Sequence, residues 1–253
     1  MDAQRVLVTG SAGTIGRIVC RALLARGHAV RAFDLQPTPA VDDARVGSIT
    51  DRTAVDSAAA GMTTLVHLAA TPDDADFLTD LLPNNIVGLY HVMEAARAGG
   101  VQRVILASTI QVSGGLPRGA SPIRVEDGVA PHGLYGATKI FAESVGRVYA
   151  KKHGMVVIAA RIGWLPRNPE NAAHVGRHPG SRAVYLSHTD AARFFTSAVE
   201  APCTGFAALY VVSRNAGRPA YDLAAARQTL GYTPEDDWPA GLPPEWGLTE
   251  QAP

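Results

Sequence analysis

The sequence predicts an α/β protein built on a doubly wound parallel sheet, and two observations carry that prediction. A short apolar run at the start, Val6-Leu7-Val8, feeds a glycine turn and then a stretch with apolar residues at helical spacing. From there to about residue 160, short apolar runs alternate with helical periods, the pattern that parallel strands joined by crossover helices produce.

Taken in order, Thr9-Gly10-Ser11-Ala12-Gly13 ends the first strand, and Ile15, Ile18, Val19, Ala22 and Leu23 mark one face of the first helix. Gly27 closes that helix, and Ala29 to Phe33 reads as a second strand ending at Asp34. Ala44-Arg45-Val46 reads as a short strand, Asp51 to Val55 as a capped helix, and Thr64 to Ala70 as a buried strand. Asn84 to Ala98 predicts a helix closed by Gly99-Gly100, and Arg103 to Ala107 a strand. Tyr135 to His153 predicts a helix closed by Gly154, and Met155 to Ala160 a further strand. After Arg161 the pattern turns irregular, with Pro166, Pro169 and Pro179 scattered through a polar stretch to Ser181 that reads as substrate-side loops. A helix at about Thr189 to Glu200, a strand Ala207 to Val212 and a short helix Asp222 to Leu230 follow. A proline-rich tail from Trp238 is expected to lie extended or partly disordered. The expected division is 1–160 for a nucleotide-binding, catalytic part and 161–253 for a small substrate-binding part interleaved with the last sheet elements.

Composition narrows the function classes. The 253 residues carry 23 Lys plus Arg and 23 Asp plus Glu, so zero formal charge and no basic block argue against nucleic acid or anionic lipid as partners. With 47% hydrophobic and 18% charged residues the chain is too apolar to be disordered, yet no run reaches the roughly 20 apolar residues of a membrane span. Cys20 and Cys203 lie far apart without metal-ligand spacing, so no disulfide scaffold and no metal site are expected. Strand residues begin almost at Met1, leaving no room for a targeting segment, and a cytoplasmic location follows as the expectation.

Gly10-Ser11-Ala12-Gly13-Thr14-Ile15-Gly16 places three glycines where a strand enters a helix. Gly10 permits the tight turn, Gly13 lets backbone approach a pyrophosphate, and Gly16 lets helix and sheet pack closely, while the helix N-terminus offers free N–H groups. Asp34 ends the second strand about 20 residues on, where a carboxylate accepts hydrogen bonds from ribose hydroxyls. It repels a ribose 2′-phosphate, and Leu35-Gln36-Pro37 supplies no arginine to bind one, so NAD is favoured over NADP. Tyr135 and Lys139 share one helix face at i, i+4. An ammonium beside a phenol favours phenolate, which makes tyrosine a base for removing a hydroxyl proton as hydride leaves. Ser108 and Thr109 arrive at the C-terminal edge of the strand Val104 to Ala107, in the crevice where doubly wound sheets bind ligands.

With these residues in view, the chain resembles the extended short-chain dehydrogenase/reductase superfamily of NAD-dependent epimerase/dehydratase type. The motifs are Val8 to Gly16, Val66-His67-Leu68-Ala69-Ala70, Asn85-Ile86-Val87-Gly88, Ala107-Ser108-Thr109, Tyr135 with Lys139, Leu186 to Asp190, and Leu230 to Pro234. The resemblance implies a Rossmann-type sheet and a catalytic set of Thr109, Tyr135 and Lys139, with Ser108 as the alternative hydroxyl. It implies that Gly10, Gly13, Thr14, Ile15, Gly16 and Asp34 hold NAD together with Ser48, Ile49, Leu68, Ala69, Ala70, Asn85 and Ile162. Ser48 stands where many members carry an adenine-binding Asp, and Trp164 follows Arg161-Ile162-Gly163 where nucleotide-sugar enzymes have Asn.

Within the superfamily the chain is most similar to the uronate dehydrogenases. Asn85 to Tyr90, Glu94 to Ala98, Gly133 to Gly136, Arg161-Ile162-Gly163 and Ser187 to Asp190 carry that likeness. Ile110 and Trp164 replace polar residues of those enzymes and make the pocket less polar. Substrate candidates are Thr71, Ser108, Thr109, Ile110, Gln111 and Trp164, with Arg177 or Arg182 as a carboxylate clamp. His132 and His188 have two readings, at the pocket mouth or as structural or solvated residues, with the second favoured; His67 is placed in the core, and Arg161 as a structural residue at the sheet edge. The expected activity is oxidation of a hydroxyl of a small sugar, sugar acid or polyol by hydride transfer to NAD. The alternatives are an epimerase or dehydratase that retains its cofactor, and a non-catalytic nucleotide sensor. A homodimer through the helices Asn84–Ala98 and Tyr135–His153 is also implied.

Overall fold

A strand that pairs in parallel with its successor needs a crossover to bring the chain back to the same edge, and here helices supply it. The computed structural model describes residues 3–73, 75–119, 121–214 and 220–248. Among them are the strands β1 (Arg5–Thr9), β2 (Ala29–Asp34), β3 (Asp43–Val46), β4 (Thr64–His67), β5 (Arg103–Thr109), β6 (Val156–Ile162) and β7 (Phe206–Val211). They form one sheet in the order β3-β2-β1-β4-β5-β6-β7, with every neighbouring pair parallel. The order runs outward from β1 in one direction and then resumes at β4 on its other side. That reversal opens a crevice at the C-terminal ends of β1 and β4, the usual ligand position in such sheets.

The main helices are α1 (Thr14–Ala25), α2 (Arg52–Ala59), α3 (Leu89–Ala98), α4 (Leu134–His153), α5 (Pro169–Arg177), α6 (Pro179–Arg182), α7 (His188–Glu200) and α8 (Ala224–Leu230). Successive strand side chains point to opposite faces, so the strands divide their apolar residues between two cores. Val6, Val8, Ile105 and Ile158 meet Val19 and Leu23 of α1 and Phe194 and Phe195 of α7. Leu7, Val104, Leu106 and Val157 meet Val55 of α2, Val92 and Met93 of α3, and Ala142 and Tyr149 of α4. Strands buried on both faces lose the polar alternation of a one-sided sheet, which is why they are written as continuous apolar runs.

Three expectations need correction. The polar stretch after Arg161 is not loop throughout. Pro169 and Pro179 stand in the first turns of α5 and α6, where a missing N–H costs nothing, and the Asn168 side chain accepts from the Asn171 N–H at 2.8 Å to cap α5. The helix expected from Asn84 begins earlier, as a wide π-type segment Phe77–Gly88 that contains Pro83 and runs into α3. Its start is fixed by Asp76, whose carboxylate accepts from the Leu78 and Thr79 N–H groups, both at 2.9 Å. The tail, as far as residue 248, is docked rather than free: Tyr185 donates to the Ala240 carbonyl at 2.8 Å, the His188 N–H donates to the Gly241 carbonyl at 3.0 Å, and Arg182 lies over the Trp238 ring. Residues 249–253 lie outside the described residues. Among the described residues no helix is long and apolar enough to cross a membrane.

The turn between β1 and α1 leaves no room for side chains at two of its glycines. A Cβ on Gly16 would collide with the Gly10 carbonyl oxygen and lie 2.7 Å from the Ser11 Cα, and one on Gly10 would lie 2.6 Å from the Ala69 nitrogen. These neighbours are backbone and cannot swing aside. Gly16→Ala is therefore expected to lower stability by at least about 1–3 kcal/mol, read as a fall in the guanidinium midpoint at unchanged slope.

Candidate active site

The crevice is a cleft of about 980 Å³ running across the C-terminal ends of the strands. At one end stand Gly10, Gly13, Thr14, Ile15 and Gly16, with Asp34, Ser48 and Ile49 beyond them, and Leu68, Ala69 and Ala70 form the floor. No side chain caps α1 and no carboxylate sits in its first turn, so its N-terminal N–H groups and positive dipole end face the cleft. Asp34 is braced in place: one carboxylate oxygen accepts from the Ala12 N–H and the other from the Gln36 N–H, both at 3.0 Å. Gly10 sits at φ +72°, and a side chain there would run into the Leu68–Ala69 backbone, so only glycine fits this turn. This end fits a dinucleotide, with its phosphates at the helix N-terminus and a ribose at Asp34.

At the other end, β5 and α4 converge. Ser108, Thr109, Tyr135 and Lys139 all line the cleft, with Ile110, Gln111, Ile162 and Trp164 around them. The Lys139 Nζ lies 5.4 Å from the Tyr135 ring centroid. Burial pushes the Tyr135 phenol above the ordinary tyrosine range, Asp73 pushes it the same way, and Arg167 opposes them. Desolvation brings Lys139 down to about 8, still protonated at neutral pH. The two neighbouring hydroxyls are not equivalent. Ser108 spends its proton on Glu143 Oε1 at 2.6 Å, whereas Thr109 accepts from the Gln111 N–H at 3.2 Å and keeps its own proton to give.

Beneath the cleft floor, Glu143 takes Arg161 in a two-pronged ion pair, both contacts at 2.9 Å. Arg161 also donates to the Tyr210 hydroxyl at 3.1 Å, which in turn donates to Ser113 at 2.9 Å. Arg161 is thus engaged within this buried cluster and does not line the cleft.

A family model for the NAD dependent epimerase/dehydratase family matches residues 6–165. The chain belongs to that family. It is 32% identical over 251 residues to an L-arabinose 1-dehydrogenase (NAD(P)(+)) of Haloferax volcanii, covering 92% of this chain and 97% of that one. It is 30% identical to a uronate dehydrogenase of Pseudomonas syringae pv. tomato, covering 84% of this chain and 75% of that one. The crystal structure of uronate dehydrogenase from Agrobacterium tumefaciens superposes with a TM-score of 0.80 at 30% identity, covering 93% of this chain and 86% of that one. A mutant of that enzyme complexed with NAD superposes with a TM-score of 0.81 at 28% identity, over the same shares of the two chains. The extended short-chain dehydrogenase/reductase fold expected from the motifs is the fold observed.

Several expected site residues lie elsewhere. Arg177 and Arg182 do not line the cleft: Arg177 is exposed at the end of α5, and Arg182 donates to the Gly176 carbonyl while stacking on Trp238. Asn85 and Thr71 bind each other behind the cleft wall, the Asn85 carbonyl oxygen accepting from the Thr71 N–H at 2.8 Å and its amide donating to the Thr71 carbonyl at 3.0 Å. The Asn85 amide also donates to Thr138 of α4 at 3.1 Å, so it braces this wall and does not face the cleft. His132 is exposed, and His188 is held to the Pro166 carbonyl at 2.8 Å; neither lines the cleft. His67 is buried against Thr9 at 2.8 Å, as expected of a core residue. The polar cleft side chains that sequence reasoning missed are Asp73, Asn84, Arg167 and Asn171. Glu143 had a usable signal, since it continues the Tyr135, Lys139 stripe by four residues; Asp73 and Arg167 sit in irregular segments with none.

The lowered pKa of Lys139 has a stability consequence with a definite sign. The unfolded chain binds that proton more tightly, so the cost of burying the ammonium is fully present below about pH 8 and fades as pH rises toward the ordinary lysine value of 10.5. Lys139→Met is expected to be more resistant to guanidinium than the parent at pH 7, with the difference shrinking by pH 10; unfolding curves at the two pH values check this.

Proposed function

We propose that this chain is an NAD-dependent dehydrogenase that oxidises a hydroxyl of a small sugar, sugar acid or polyol. The observation that carries the reading is the meeting of Thr109, Tyr135 and Lys139 on one wall of a cleft whose far end is a dinucleotide cradle. The names of the similar enzymes, which act on arabinose and uronates, support the substrate class. In this reading residues 1–160 hold cofactor and catalytic groups, and 161–253 shape the substrate end.

NAD, when bound, supplies the hydride acceptor. Thr109 donates a hydrogen bond to the reacting oxygen and holds it toward Tyr135. The Tyr135 phenolate takes the hydroxyl proton as the carbon is oxidised to a carbonyl, and Lys139, protonated beside the ring, stabilises the phenolate against the cost of burial. Ser108 is a positioning residue, tied through Glu143 to Arg161. Asp34 selects NAD by its charge, since a 2′-phosphate there would meet a carboxylate already fixed by two backbone donors.

The same reading includes a homodimer and a reducing, cytoplasmic compartment, the latter in keeping with two free cysteines. Leu134, Phe141 and Val148 form an exposed apolar stripe at heptad spacing along α4, with Tyr90 exposed on α3. Such a stripe suits burial against its own copy across a twofold axis.

On mixing with NAD and a panel of aldoses, uronates and polyols, free NADH is expected to accumulate well beyond one equivalent per chain. Tyr135→Phe should lower kcat/KM on the best substrate by roughly 10²–10⁴-fold. A single equivalent of NADH that never exceeds the enzyme would instead indicate an epimerase or dehydratase with retained cofactor. For the assembly, light scattering of the parent is expected to give twice the chain mass, and Phe141→Glu to shift it toward the monomer.

A further inference from the structure

The charges at the substrate end of the cleft are already matched. Arg167 reaches in from the segment after β6, and its guanidinium meets the Asp73 carboxylate at 3.3 Å from the segment after β4. Arg177 and Arg182 face elsewhere, and Lys139 is committed beside Tyr135. Among the described residues that line this end, the exposed cation is Arg167, and it is already paired with Asp73. What the cleft offers besides is neutral: the amides of Gln111 and Asn171, and the indole of Trp164, 37% exposed. Amides pair with hydroxyls, and a flat indole face packs against the C–H surface of a sugar ring.

Resting on the dehydrogenase reading above, we infer that the cleft takes an uncharged aldose and that Asp73 determines this specificity, turning anionic sugars away by holding Arg167 across the mouth. A carboxylate or phosphate on the substrate would have to break the Asp73–Arg167 pair and then sit beside the displaced Asp73 charge. A neutral sugar leaves the pair intact. Asp73 and Arg167 lie close enough to the reacting end to act on the Tyr135 phenol, in opposite senses. Asp73 sits at φ +62°, the left-handed region that short polar side chains such as Asp and Asn adopt more readily than others. Specificity of this kind is a repulsive element as much as an attractive one.

The test uses three sugars that share their ring configuration and differ only at C5: L-arabinose with hydrogen, D-galactose with hydroxymethyl and D-galacturonate with carboxylate, alongside the matching series D-xylose, D-glucose and D-glucuronate. The parent enzyme with NAD is expected to favour the neutral members of a series over the uronate by about tenfold or more in kcat/KM. Asp73→Asn, which keeps the size and backbone preference of the residue, should shift that ratio toward the uronate by about tenfold or more. Adding Arg167→Ala to Asp73→Asn should remove the gain. Calorimetric binding of the same sugars to Tyr135→Phe, with and without Asp73→Asn, should give the same order without turnover. A parent that prefers the uronate, or a ratio unmoved by Asp73→Asn, overturns the inference while leaving the dehydrogenase reading standing. No oxidation of any sugar by the parent overturns both.

Discussion

The geometry of the site depends on one buried ion pair. Glu143 and Arg161 are both nearly inaccessible to water and grip each other through two hydrogen bonds of 2.9 Å. Such a pair returns little net stability, because desolvating two charges consumes most of what their attraction gives; breaking it, by contrast, strands a buried charge at a cost of roughly 3–5 kcal/mol. Its consequence is geometric. Tyr135, Lys139 and Glu143 follow one another at four-residue intervals on α4, so clamping Glu143 to β6 fixes the rotation of the helix and turns the other two toward the cleft. The same carboxylate holds Ser108 on β5, next to Thr109, and the Arg161–Tyr210–Ser113 chain extends the clamp to β7 and to the turn carrying Ile110 and Gln111. Helix, strand and substrate-side turn are thereby registered to a single buried centre.

The two ends of the cleft are charged by different means. At the cofactor end the positive potential is built from backbone, namely the uncapped start of α1, and the carboxylate that faces it across the turn is held by main-chain donors. Such a site is held in place because its donors are backbone groups and the Asp34 carboxylate is pinned by two of them. At the substrate end the charges sit on long, partly exposed side chains from segments outside the sheet. That end can change its chemistry by substitution without disturbing the fold, which suits a scaffold whose relatives are named for different sugars.

Most of the fold was legible because it is written in local patterns. Continuous apolar runs such as Val104 to Leu106 announce strands buried on both faces, and Gly154 announces the end of α4 by the left-handed turn it makes there. The errors fell where one residue type serves two purposes. Proline reads as a breaker, yet Pro169 and Pro179 begin helices. Pro83 lies inside the helical segment that starts at Phe77, whose wide turns accommodate it. The tail looked unstructured because its partners, Tyr185, His188 and Arg182, are more than 50 residues away in sequence and on no shared pattern with it.

By itself the sequence determined the sheet, the glycine turn, the acidic residue after β2 and the trio Thr109, Tyr135 and Lys139 proposed as catalytic, since each rests on short-range spacing within one strand, turn or helix. The tertiary structure decided which arginine enters the cleft, which hydroxyl keeps its proton free, and whether Asn85 faces the cleft or braces its wall. Those outcomes depend on contacts between segments dozens of residues apart: Asp73 meets Arg167 across 94 positions and Ser108 meets Glu143 across 35. No local periodicity encodes such pairs, because the distance between them is set only when the sheet has brought its strand ends to one edge.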